Sequence, residues 1–155
     1  MLKHISLALA LCAAFIQMGC TMTDPALRQA IAEAEVRPSS GRIKLRPFAE
    51  QGNAAAIASI CIAYGRSIDT EVRGAERKQA FAWCQHAAAE GNIEAQYYLG
   101  RFYHWGIGTP ENRTLALQWY TTAASRGHIE AEDAQRGLEG KPSICRNWIT
   151  GCRMF

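Results

Sequence analysis

The chain has 155 residues, 48% of them apolar and 20% charged, which are ordinary values for one globular domain. The formal net charge of +3 is too small to argue for nucleic acid as a partner. A basic end exists, with Arg136, Lys141, Arg146 and Arg153 facing only Glu139 beyond residue 135, and it reads as a solvated tail.

Residues 1–19 stand apart from the fold. Lys3 and His4 form a short polar start, residues 5–16 are an apolar run of 12, and Met18-Gly19-Cys20 closes the stretch. Such a run is too short to span a bilayer as a helix, and the sequence of parts is that of a secretory signal. The ending resembles a bacterial lipobox, in which a small residue precedes a cysteine that is lipidated and becomes the new N-terminus. Gly19 and Cys20 fit it, whereas Gln17 stands where that pattern prefers leucine. Thr21, rather than aspartate, follows the cysteine, which by the same resemblance implies the outer membrane. The expectation is therefore a lipoprotein on the periplasmic face of the envelope, anchored through Cys20. A cleaved soluble protein and an uncleaved anchor are the alternatives. Loss of residues 1–19 removes only Lys3 from the charge balance, leaving +2.

A lipidated start over residues 20–23 leads into an all-α domain over 24–140, followed by a cysteine-bearing tail over 141–155. Asp24 is a good N-cap and Pro25 suits the first helical position, which predicts a helix over 25–36 with Leu27, Ile31 and Ala34 on one side. Pro38-Ser39-Ser40-Gly41 reads as a break. A less regular helix is expected from about residue 42 to 51, with Pro47 kinking or extending its first half.

A repeat then becomes visible. Helix ends read Phe48-Ala49-Glu50-Gln51-Gly52-Asn53, Ala87-Ala88-Ala89-Glu90-Gly91-Asn92 and Ala123-Ala124-Ser125-Arg126-Gly127-His128, with glycines 39 and 36 residues apart. Each glycine suits the left-handed residue that ends a helix. Four residues beyond each lies an alanine (Ala56, Ala95, Ala131), and eight beyond the first two lie Ile60 and Leu99. Ala80, Trp83, Ala87 and Ala88 correspond to Ala116, Trp119, Ala123 and Ala124. The clearest units are 54–91 and 92–127. The three extra residues of the first fall in its interhelix loop, where length is cheap to change. Within the second unit a helix over 93–105, a turn at Gly106-Ile107-Gly108-Thr109-Pro110 and a helix over about 113–125 form an αα-hairpin. Small residues let backbones approach, and leucine and aromatics fill the space between hairpins, so the units must stack into a solenoid. The last unit begins at His128 and becomes polar, as a cap should.

Ala95, Leu99, Gly100, Tyr103, Gly106 and Gly108, then Ala116, Trp119, Ala123, Ala124 and Gly127, together resemble a Sel1-like repeat. That family forms αα superhelices related to tetratricopeptide repeats. The first unit departs from the pattern with Cys61 in the place of Gly100, and it lacks the Gly-x-Gly turn. The resemblance implies protein binding as the function. Envelope members of the family include immunity proteins that neutralise phospholipase effectors delivered by type VI secretion, so a secreted phospholipase is an implied partner. An envelope scaffold or adaptor is the second reading, and an enzyme or redox protein the third.

In an exported protein thiols pair. Cys12 leaves with the signal and Cys20 carries lipid, so Cys61, Cys84, Cys145 and Cys152 remain, with three pairings open. Cys61–Cys84 with Cys145–Cys152 is favoured: the first would join the two helices of one hairpin, and the second would close a short loop through Gly151. Four buried thiols are the alternative. No Cys-x-x-Cys, Gly-x-Ser-x-Gly, His-Glu-x-x-His or phosphate-binding loop with lysine occurs, and no cofactor or metal is expected. His86, His104 and His128 are not brought together on one helix face. The chain is read as a non-enzyme.

A solenoid offers a surface instead. In this class the first helix of each hairpin lines the concave side. On residues 93–105 the core stripe is Ala95, Leu99 and Phe102, and the opposite stripe is Glu94, Tyr97, Arg101 and His104. The equivalent stripes are Ala55, Ala58 and Ile62 before it and Glu130, Asp133 and Gly137 after it, which makes a groove apolar at one end and acidic at the other. Tyrosine, arginine and tryptophan most often anchor interfaces. Ile62, Tyr97, Arg101, His104, Trp105 and Asp133 are therefore the candidate partner-binding residues. Packing between repeats competes with that role at Tyr97 and Trp105, and Trp83 and Trp119 read as core.

Overall fold

The computed structural model describes residues 24–66 and 74–143. The signal segment, Cys20 and the Cys145–Cys152 pairing lie outside the described residues. The described residues form seven helices: α1 (Pro25–Val36), α2 (Pro38–Glu50), α3 (Ala54–Arg66), α4 (Gly74–Ala89), α5 (Ile93–Trp105), α6 (Arg113–Ala124) and α7 (Ile129–Leu138).

Asp24 starts α1 by accepting the Ala26 amide at 2.8 Å, with Pro25 where a missing N–H costs nothing. Leu27, Ala30 and Ala34 turn inward. The break after α1 is shorter than the sequence suggests. Helix α2 begins at Pro38 rather than near residue 42, and only Arg37 separates the two helices. Pro38 and the serines after it form the first turn of a helix, a position that proline tolerates. Gly41 is where α2 crosses α1: a side chain there would enter the Ala34 backbone. Ser40 and Lys44 both bond the Glu33 carboxylate across the same crossing. Helix α2 also runs through Pro47, which is exposed and loses one helical hydrogen bond without interrupting the element.

Three equivalent joints link the hairpins. Gly52, Gly91 and Gly127 are left-handed, with φ of 81°, 85° and 89°. The amide after each glycine reaches back to a carbonyl in the last turn: Asn53 to Phe48 at 3.0 Å, Asn92 to Ala87 at 3.0 Å, His128 to Ala123 at 3.1 Å. The glycine amides bond Ala49, Ala88 and Ala124. This is the Schellman arrangement, which satisfies the last carbonyls of a helix. The residue that closes one helix then caps the next. Asn53 Oδ1 accepts from Ala56 N at 3.0 Å, Asn92 Oδ1 from Ala95 N at 2.8 Å, and His128 Nδ1 from Ala131 N at 3.3 Å.

Each helix packs on its chain neighbours, and α1 packs on α3 and α3 on α5. Among the described residues α2, α4 and α6 make no comparable approach to one another. Helices that approach more closely lie on the inside of a curve, so α1, α3 and α5 form the inner wall. The core runs continuously from Leu27 and Leu45 through Ile57, Ile60 and Tyr64 to Leu99 and Phe102. Arg42 is buried over the Tyr64 ring at 4.6 Å, a cation–π contact that places a charge in the core.

The two central hairpins close differently. Cys61 of α3 and Cys84 of α4 form a disulfide with an S–S distance of 2.13 Å. In the next hairpin the same two positions, read off the repeat register, are Gly100 and Tyr120. A side chain on Gly100 would fall 2.6 Å from the Tyr120 ring, so the tyrosine occupies the space that the glycine leaves. Gly106 and Gly108 are left-handed, with φ of 63° and 72°, and Gly108 lies against the backbone of Arg77 and Lys78 at the start of α4.

Candidate functional site

The inner wall is built around α5. Its inward stripe is as expected, with Ala95, Leu99 and Phe102 buried. Glu94, Tyr97, Arg101 and His104 are half-buried on the other side. Each is already engaged by the fold.

Tyr97 stacks on His128 with ring centres 4.5 Å apart, lies 5.1 Å from Tyr98 and 6.0 Å from Tyr120, and contacts both hydrophobic clusters. It is a packing residue with one accessible side. Arg101 Nη1 donates to the Gly65 carbonyl at the end of α3, at 3.5 Å, and its guanidinium lies 5.9 Å from the Tyr98 ring centre. Tyr98 reaches α3 because Gly65 has no side chain to block its ring. Burial holds the Tyr97 and Tyr98 phenols above the ordinary tyrosine range.

His104 lies 3.4 Å from the Tyr120 hydroxyl through Nδ1 and stacks on Trp105 at 4.5 Å with the planes 19° apart. Burial lowers its pKa, and the Arg113 charge adds to that. Trp105 is 65% exposed, against half-burial for its neighbours on the stripe. Its indole is thus a fixed aromatic surface backed by an imidazole and open to solvent on the other side.

The structure brings Tyr97, Arg101, His104 and Trp105 onto one face of α5. Ile62 lies further along the wall, in a shallow cleft between α1 and α3 with Ile31, Ala34, Ser59 and Arg66. Asp133 lies on α7, where its carboxylate accepts from the Ser143 hydroxyl at 2.6 Å. The inner wall therefore passes from apolar at α1–α3 to aromatic and cationic at α5, whereas α7 with Asp133 packs on α6 and is not brought against α5 in the same way. Trp83 and Trp119 are partly buried against the core.

Tyr98 and His128 were not singled out by sequence reasoning. Tyr98 lies next to the expected stripe, and only the close approach at Gly65 turns it toward α3. His128 had a signal, since it stands where Asn53 and Asn92 stand in the repeat. Its Nε2 lies 3.0 Å from the Glu94 carboxylate and its Nδ1 3.3 Å from Glu130. Among the described residues no group of three or more His, Cys, Asp or Glu side chains is placed to hold a metal ion.

These features define a superhelix of αα-hairpins whose first helices present a continuous inner face, an architecture suited to protein binding. The family model for the Sel1 repeat matches residues 55–92 and 93–128. A crystal structure of a Sel1 repeat protein from Oxalobacter formigenes superposes with a TM-score of 0.57 at 25% identity, covering 83% of this chain and 98% of the other. A Sel1-like repeat-containing protein of Schizosaccharomyces pombe is 35% identical over 66 residues, 43% of this chain and 10% of its own length. Chitin synthase regulators SKT5 of Malassezia restricta and Saccharomyces cerevisiae are 36% and 32% identical over 62 and 90 residues. Those alignments take in 40% and 58% of this chain and only 4% and 13% of the regulators. Repeats of this family mediate protein–protein interaction.

Proposed function

We propose that the chain is a protein-binding module of the bacterial envelope, held there as a lipoprotein through Cys20, and that it acts as an immunity protein. Its partner is a phospholipase effector delivered by type VI secretion. The inner wall clamps the effector and blocks lipid from its active site. The observation that carries the binding face is Trp105: a large aromatic, exposed yet held flat on His104 beside Arg101. Preorganised tryptophan and arginine side chains dominate binding energy at interfaces. The disulfide between Cys61 and Cys84 supports an oxidising compartment.

The test is inhibition of a cognate phospholipase by the domain without its lipid. Trp105→Ala with Arg101→Ala should weaken inhibition at least tenfold, roughly the effect of losing one anchor. Undiminished inhibition by a folded double variant would move the binding face elsewhere. Labelled palmitate should enter the wild-type protein and not Cys20→Ser; equal labelling would remove the anchor.

The similarity to chitin synthase regulators favours a second reading, an adaptor that recruits an envelope enzyme. Stimulation or relocalisation of a wall-synthesising enzyme, with no effect on any phospholipase, would decide for it.

A further inference from the structure

Three joints link the hairpins, and one differs in a chemically decisive way. Asn53 and Asn92 cap their helices with side-chain oxygens that do not titrate, whereas His128 caps α7 with a ring nitrogen that does. The His128 side chain is only 7% exposed, and its two nitrogens and one face are all engaged. Nδ1 lies 3.3 Å from the Ala131 amide nitrogen and 3.3 Å from a Glu130 carboxylate oxygen, and the capped state is the form in which Nδ1 carries no proton and accepts from the amide. The ring proton of the neutral imidazole is then on Nε2, which donates to Glu94 of α5 at 3.0 Å. The ring face lies on Tyr97, also of α5. One side chain thus fixes the start of α7 and binds it to the preceding hairpin.

We infer that His128 is a proton-sensitive latch at the last joint: adding a proton to Nδ1 breaks the cap of α7 and hands the ring to Glu130. The Glu130 carboxylate lies 3.3 Å from Nδ1, so the protonated ring has an acceptor waiting at the nitrogen that has ceased to be one. The Ala131 N–H then loses its partner, at a residue with no exposed surface. The charged and titratable groups around the ring are Glu94 and Tyr97 from α5 and Glu130 from α7. Arg66 of α3 acts on Glu94 from further off. Just beyond α6, Arg126 donates to the Gly91 carbonyl at 2.6 Å and to Gln96 Oε1 of α5 at 3.4 Å. The Glu94 carboxyl is held below its ordinary value, first by the His128 hydrogen bond.

Nuclear magnetic resonance of the folded domain tests this directly. Near pH 7.5 the ¹⁵N shifts of His128 should report an unprotonated Nδ1 and a protonated Nε2. On acidification to about pH 5.5 the Ala131 amide should lose its hydrogen-bonded shift. Its exchange at a given intrinsic rate should rise roughly fivefold, the loss expected for one cap. The Ala56 and Ala95 amides, capped by asparagine, are internal references and should not follow. His128→Asn, which installs the residue of the other two joints, should keep the Ala131 amide protected across the range. A neutral ring protonated on Nδ1, an Ala131 amide indifferent to pH in the wild type, or the same acid response in His128→Asn would each overturn the inference.

Discussion

The two central hairpins solve one packing problem in opposite ways. In α5–α6 the helices meet where Gly100 admits the ring of Tyr120, buried to 1% exposure. In α3–α4 the equivalent positions are Cys61 and Cys84, joined covalently with their α-carbons 4.8 Å apart. The first solution needs one residue with no side chain and one with a large one. The second needs two small residues and an oxidant. The hairpin with the disulfide is also the one whose sequence lacks Gly-x-Gly between its two helices. The two units thus fill equivalent positions of the repeat with different residues.

The largest expected effect comes from breaking the covalent solution. Cys61→Ala with Cys84→Ala removes a cross-link with a sequence separation of 23. The chain-entropy estimate for a loop of that length is about 3 kcal/mol, read as a lower urea midpoint. Wild type with a reductant that reaches the bond should approach the same midpoint. Cys61→Gly with Cys84→Tyr transplants the second hairpin's solution into the first. That variant should recover part of the lost stability and become indifferent to reductant; no recovery would mean that the two gaps are not interchangeable.

Next in size is Gly100→Ala, whose new methyl would meet a Tyr120 ring that has little room to retreat. A loss of about 2 kcal/mol is expected, the scale of overpacking in a filled core. Tyr120→Phe keeps the ring and removes the hydroxyl near His104. It should cost about 0.5–1 kcal/mol, measured by the same unfolding.

The smallest effects are in pH dependence. Glu94 has a folded pKa below its unfolded one, so its contribution is complete above the unfolded value and disappears as pH falls through the folded value. Glu94→Gln should flatten the stability profile below about pH 4.5. His104 is also held below its ordinary range, so the unfolded chain takes up its proton first. Stability should then drop as pH falls through about 6.5 and the drop should be missing in His104→Phe.

The parts of this fold that are legible in the sequence are those fixed by local chemistry. Asp24-Pro25 marks the start of α1, the three glycines mark helix ends, and α5 runs over the residues its periodicity predicts. Cys61 and Cys84 are placed on facing helices by the hairpin alone. What the sequence obscures depends on neighbours in space. Pro38-Ser39-Ser40-Gly41 has the composition of a loop, and it is helical because Gly41 lets α2 lie against Ala34. Tyr97 reads as a groove residue from its position on the helix, yet the ring that covers one of its faces comes from His128, 31 residues further on. At Trp105 the sequence leaves packing and binding in competition, and its place at the end of α5 leaves it open.

The Gly-Asn and Gly-His joints carry a consequence for how such a chain can grow. Each joint is two residues long, hydrogen-bonded to the helix behind it and to the helix ahead. Its own hydrogen bonds close one helix and start the next. A gene segment that begins at an asparagine codon and ends at a glycine codon is therefore a complete building block. Residues 92–127, copied in frame after Gly127, would bring their own cap and leave a finished end for His128 to follow. Length differences between units accumulate inside the hairpins, where the 39- and 36-residue spacings differ, because only there can residues be added without turning every later helix.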